Sequence, residues 1–120
     1  MLICGGANYA YEQVNSELSS FLSTHYGVLE SAFKLAVCGV KLHSEHEDSC
    51  CVMVQVLDGA VFTQNKVSRV EENFVAEAKN KVSKGAKPDY IALGEIPVVL
   101  SKGVINIPEM ILYWKKKYTM

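Results

Sequence analysis

Two long apolar, β-branched runs constrain this chain more than any other feature: residues 33–42 (FKLAVCGVKL) and residues 50–57 (CCVMVQVL). Runs of this length and composition are strands, and strands this apolar must be covered by other elements. Between them lies the polar segment His43–Ser49. Gly39 interrupts the first run and marks a bulge or a close approach of backbone.

The covering elements can be read on either side. Val14, Leu18, Phe21, Leu22 and His25 share one face of a helix over residues 8–26, and Gly27 is its C-terminal stop. A second helix spans 68–84, with Val67, Val70, Phe74, Val75, Ala78 and Val82 on its apolar stripe. Ser68 and Glu71 have the spacing of a capping box, and Lys79, Lys81 and Lys84 suit the negative end of the helix dipole. Asp58-Gly59 reads as a two-residue hairpin turn, with Ala60–Gln64 returning as a partner strand to complete an antiparallel meander. Residues 90–93 and 96–100 read as strands, the second demoted by Pro97. Ser101-Lys102-Gly103 is a tight turn into 104–107, and Pro108 opens a last helix over 108–118.

The expected fold is therefore a single α+β domain over residues 1–120, in the order α-β-β-β-α-β-β-(β)-α, with a mainly antiparallel sheet packed against helices. In element order it resembles the small dimeric chaperones of bacterial secretion systems, and more loosely profilin-like and roadblock-like domains.

Composition agrees with one globular domain: 120 residues, 49% hydrophobic and 21% charged. The net charge of −1 argues against a whole-protein field for nucleic acid or membrane. It hides a split, since residues 1–77 carry −6 and residues 78–120 carry +5. The chain has no apolar run of transmembrane length and no basic leader, so a cytoplasmic location is expected, with its four cysteines as reduced thiols.

Three places could carry chemistry. His43, His46 and Cys50 are zinc-accepting residue types in one inter-strand segment, though their spacing matches no standard zinc motif. Gly5, Gly6 and Asn8 precede the first helix, where backbone N–H groups could receive an anion and lower the pKa of Cys4. Tyr113 to Tyr118 mixes aromatic and basic residues as single-strand binders and membrane-surface helices do, but it is too short to hold a bilayer alone, and Trp114 fits the core stripe. A polar inter-strand loop and a solvated basic tail are the plainer readings. His25 lies on an apolar stripe, as a hydrogen-bonded core histidine would. A zinc deaminase is excluded, because the second helix has no His or Cys ligand and no cysteine follows residue 51.

The expectation is a non-catalytic interaction, adaptor or chaperone-like domain acting as a homodimer. The strands carry more apolar surface than two or three helices are expected to cover, and the charge split suits antiparallel self-pairing. No cofactor is expected and nucleic acid is disfavoured. The alternative is a small-molecule or zinc-binding protein, with or without catalysis, using the His43–Cys51 loop or the Cys4–Asn8 turn.

Overall fold

The two apolar runs form β3 (Phe33–Val40) and β4 (Ser49–Val56), paired antiparallel from Phe33↔Val56 to Val40↔Ser49. The computed structural model describes residues 2–4, 7–43, 45, 47–59 and 64–118. Ahead of this pair lie β1 (Leu2–Cys4), β2 (Ala7–Tyr9) and α1 (Tyr11–Tyr26), and after it come α2 (Gln64–Ala78) and β5 (Tyr90–Leu93). The chain closes with β6 (Val98–Val99), β7 (Val104–Ile105) and α3 (Ile107–Tyr118). It is a single α+β domain whose strand pairs are mostly antiparallel. No helix among the described residues is long and apolar enough to cross a membrane.

The third strand of the main sheet differs from expectation. Gln64 opens α2 instead of ending a return strand, and residues 60–63 lie outside the described residues. The sheet is completed by β5, which reaches β4 through α2 and pairs with it in parallel, giving the order β3-β4-β5. Asp89 sets that register. Its Oδ2 accepts the Cys50 N–H at 2.7 Å, while its own N–H donates to the Cys50 carbonyl at 2.8 Å.

Both faces of this sheet are covered, which accounts for the continuous apolar runs. On one face Leu35, Val37, Cys50, Val52 and Val54 pack with Val14, Leu18 and Leu22 of α1 and with Val70, Phe74 and Ala78 of α2. On the other, Ala36, Cys38, Val40, Cys51 and Met53 pack with Met110 and Trp114 of α3. Alternate side chains of one strand thus enter two different cores. Most of the apolar side chains of β3 and β4 are thus buried within the chain, while Leu57, just past β4, stays 49% exposed.

The outer edge of β3 is also closed from within. Val37 donates its N–H to Asn15 Oδ1 at 2.9 Å, and Gly39 donates its N–H to the Tyr11 hydroxyl at 3.0 Å. Two side chains of α1 thereby occupy strand-edge groups that would otherwise invite another strand. Gly39 keeps its pairing with Cys50, so the close approach expected there is realised without a bulge.

Several boundaries move. The first helix starts at Tyr11, because residues 7–9 pair with β1 (Cys4↔Ala7, Leu2↔Tyr9). Its stop is as read, with Gly27 at φ 68°. Since α2 opens at Gln64, Ser68 lies inside the helix and the capping-box reading fails. The helix ends at Ala78, and Lys79 and Lys81 fall in the turn that follows. Val98–Val99 and Val104–Ile105 make a separate two-stranded ribbon, closed by a turn with Gly103 at φ 65°. Asn106 caps α3, its Oδ1 accepting the Glu109 N–H at 3.2 Å, so Pro108 is the second helical residue and not the first.

Candidate functional site

The sequence candidates separate in three dimensions. Gly5, Gly6 and His46 lie outside the described residues. Asn8 sits in β2 and Ala10 is the N-cap of α1, so the segment next to the glycines leads into a strand and not into a helix mouth. His43 is tied through Nε2 to the Tyr90 hydroxyl, and Tyr90 packs against the core under α3. Cys50 is buried on the opposite face, among α1 and α2. The structure does not bring His43 and Cys50 together, and among the described residues no group of three or more His, Cys, Asp or Glu is placed to hold a metal.

The thiols are embedded, not poised. Cys38 and Cys51 are directly opposed across β3 and β4, and both are fully buried. Burial raises the Cys38 thiol to about 12, with the charge of Asp48 adding to it. Burial likewise pushes Cys51 far up, helped by the neighbouring thiols. Because the N–H groups of Val37 and Gly39 point outward, Cys38 and Cys51 form a hydrogen-bonded cross-strand pair. Cβ atoms in such pairs stand about 5.5 Å apart, wider than the roughly 3.5–4.5 Å of an unstrained disulfide. Cys38, Cys50 and Cys51 are expected to resist iodoacetamide near pH 8 in the folded protein and to react on unfolding in urea, as read by intact mass. Labelling of Cys38 or Cys51 within minutes under native conditions would contradict this burial.

His25 is hydrogen-bonded, as expected, but at the surface, its side chain 31% exposed. Its Nε2 donates to Glu77 Oε2, its ring stacks on Phe21, and the Tyr26 hydroxyl donates to Glu77 Oε1 at 2.8 Å. This joins the end of α1 to α2. Glu77 is held below the ordinary glutamate range, first by the bond from His25 and then by that from Tyr26. A carboxylate depressed in the fold stabilises it above the unfolded pKa, and that contribution goes as pH falls through the folded value. Glu77→Gln should therefore lower stability at neutral pH and flatten its decline on the acid side, below the ordinary glutamate pKa. Urea midpoints from neutral to acid pH test this, with parallel profiles as the contrary result. The effect is modest, because water screens a pair this exposed.

Two of the open grooves on this surface lie along α1. One, of about 360 Å³, is lined by Glu17, Ser20, Phe21, Thr24, His25, Lys81 and Val82. Its acid is already engaged, since Glu17 accepts from the Ser83 N–H and from its hydroxyl. The other, of about 410 Å³, runs between the start of α1 and the ribbon, lined by Tyr11, Glu12, Asn15, Gly103, Val104, Ile105 and Ile107. It joins an aliphatic wall from β7 and α3 to polar groups of α1, an arrangement that can bind an amphipathic group. Tyr11 and Asn15 escaped sequence reading because their role depends on a strand edge 22 to 28 residues away.

No protein-family model and no curated protein sequence matches the chain. Solved structures do match in fold. The apo form of MatB from Rhodopseudomonas palustris superposes with TM-score 0.63 at 16% identity, over 98% of this chain and 20% of that one. A fatty acyl CoA synthetase of Mycobacterium tuberculosis gives 0.64 at 19% identity, with the same coverage of 98% and 20%. An acyl-CoA synthetase (AMP-forming)/AMP-acid ligase II-like protein from Dyadobacter fermentans gives 0.61 at 11%, over 94% of this chain and 28% of its own. The chain thus spans about a fifth to a quarter of the length of these neighbours. The expectation of a non-catalytic, chaperone-like adaptor is overturned, because the fold matches segments of solved acyl-CoA synthetases.

Proposed function

We propose that this chain works as one domain of an AMP-forming acyl-CoA synthetase-like protein. In that reaction class a carboxylate is joined to coenzyme A while ATP leaves as AMP and pyrophosphate. One observation carries the reading: almost the whole chain, 98% of it, superposes on about a fifth of such enzymes. The match takes in nearly all of this chain, while most of the neighbours' length has no counterpart here. The exposed aliphatic side chains of the ribbon, Leu100 at 93% and Val104 at 52%, suit a chain that meets a larger body.

On this reading the chain alone forms no acyl-CoA, and the remaining catalytic groups come from the larger body. The test supplies the chain, in trans and as an in-frame fusion, to the Rhodopseudomonas palustris enzyme deleted for the matched segment. Coenzyme A thioester formation is followed with a panel of carboxylates. A rise well above the deleted enzyme, on the order of tenfold or more, supports the reading. No rise, in an experiment where the enzyme's own segment restores activity, overturns it.

A further inference from the structure

The outer face of α3 takes no part in either core. Met110 and Trp114 turn inward and are fully buried, which leaves Leu112 59% exposed and Tyr113 40% exposed on the outer face. Lys115, Lys116 and Lys117 follow in the last turn, and Glu109 is the single acid of the helix. Glu109, Leu112, Tyr113, Lys115 and Lys116 line a shallow groove of about 520 Å³.

We propose that this face is a peripheral contact for an anionic lipid bilayer. A free peptide of this length would be a marginal helix. Here the fold has already ordered it, because Trp114 and Met110 anchor it to the sheet. The helix is therefore presented ready-made, with an aliphatic anchor and an amphipathic ring at headgroup depth and ammonium groups beside them. Lysine stems can lie along the apolar boundary while their charges reach lipid phosphates. The charge is complementary, with Lys115 and Lys116 on this face against the single acid Glu109, while Lys117 lies over the Trp114 and Tyr118 rings.

Nucleic acid fits less well. Trp114 and Tyr118 are stacked on each other, with ring centroids 5.8 Å apart and planes 4° apart, and Lys117 lies over both rings. These aromatics are occupied and not open as platforms for bases. A protein partner would find only a shallow, open groove, with no enclosed pocket for an anchoring side chain. This inference stands apart from the acyl-CoA reading and neither requires nor tests it.

The test is co-sedimentation of the purified chain with phosphatidylcholine vesicles carrying ~30% phosphatidylserine, beside pure phosphatidylcholine vesicles. Binding is expected to the anionic vesicles only, and to be lost at ~0.5 M salt. The double variant Lys115→Gln/Lys116→Gln should bind about 30-fold more weakly. Leu112→Ser should bind about tenfold more weakly. All three positions are exposed, and circular dichroism checks that each variant is folded. Three results would overturn the proposal: no binding to anionic vesicles, equal binding by the variants, or release from vesicles by a short single-stranded oligonucleotide that the chain binds more tightly.

Discussion

Trp114→Ala is expected to destabilise the domain by about 3–5 kcal/mol, a large fraction of the roughly 5–15 kcal/mol that holds a domain of this size together. The indole is fully buried and is the bulkiest side chain between α3 and the sheet, against Ala36, Cys38, Cys51 and Met53. It also stacks on Tyr118 and packs against Tyr90. Truncation leaves α3 with Met110 as its remaining fully buried anchor and opens a cavity that a continuous strand pair cannot collapse to fill. Trp114→Phe separates packing from polarity. Nε1 of Trp114 is buried with no hydrogen-bond partner, and an unmet donor of this kind costs about 1–3 kcal/mol. Phenylalanine loses ring area and removes that cost, so this variant should fall within about 1.5 kcal/mol of the parent. Urea unfolding followed by far-ultraviolet circular dichroism reads both. An alanine variant that loses under ~1 kcal/mol would mean that α3 is not packed as described.

Gly39→Ala is the second large effect, expected at about 2–4 kcal/mol. A Cβ at position 39 would stand 2.5 Å from Asp48 Oδ2 and 2.7 Å from its Cγ. Asp48 is not free to swing away. Oδ2 accepts the Ile3 N–H at 2.9 Å, Oδ1 accepts the Lys41 ammonium at 2.8 Å, and the Asp48 N–H donates to the Ile3 carbonyl at 2.8 Å. This carboxylate, 6% exposed, clamps β1 onto the connection between β3 and β4. A methyl group at position 39 expels it and strands the Ile3 N–H. The stringent measurement is a double-mutant cycle with Asp48→Ala. Removing the carboxylate relieves the contacts at 2.5 and 2.7 Å but leaves the Cβ at position 48, 2.9 Å away, so the double variant should lose clearly less than the sum of the two single variants. Additive losses would show that the two positions do not compete for the same space.

The helices were legible wherever a local pattern sufficed. Val14, Leu18 and Leu22 repeat at helical spacing and Gly27 supplies the left-handed stop, so α1 was recognisable, though read as starting too early, at residue 8 instead of Tyr11. Residues 8 and 9 belong to a strand because Leu2 and Tyr9 face each other across a short hairpin, and no helical periodicity reports such a pairing. The ribbon turn at Lys102-Gly103 was visible because the backbone there needs positive φ. The return strand after Gly59 was a reasonable inference from turn chemistry, yet the position beside β4 belongs to β5. A parallel neighbour arrives through a helix, and its register rests on Asp89 meeting Cys50 across 39 residues.

The candidate sites were less legible for the same reason. His43 and Cys50 are near in sequence, but the alternation of side chains sends Cys50 to the α1 side while Tyr90 holds His43 near the other core. Glu77, His25 and Tyr26 become one cluster only when α2 docks on α1.

By itself the sequence determined what depends on neighbours a few residues apart: two buried strands, three helices, the stops at Gly27 and Gly103, and an α+β class. The tertiary structure alone decided that both faces of the sheet are covered, that Asn15 and Tyr11 close its edge, and that β5 runs parallel to β4. Periodicity and turn propensity are short-range energies written in consecutive residues. Sheet order, edge closure and the pairing of distant charges are won only when segments tens of residues apart exclude water together, and no local pattern records which segments those will be.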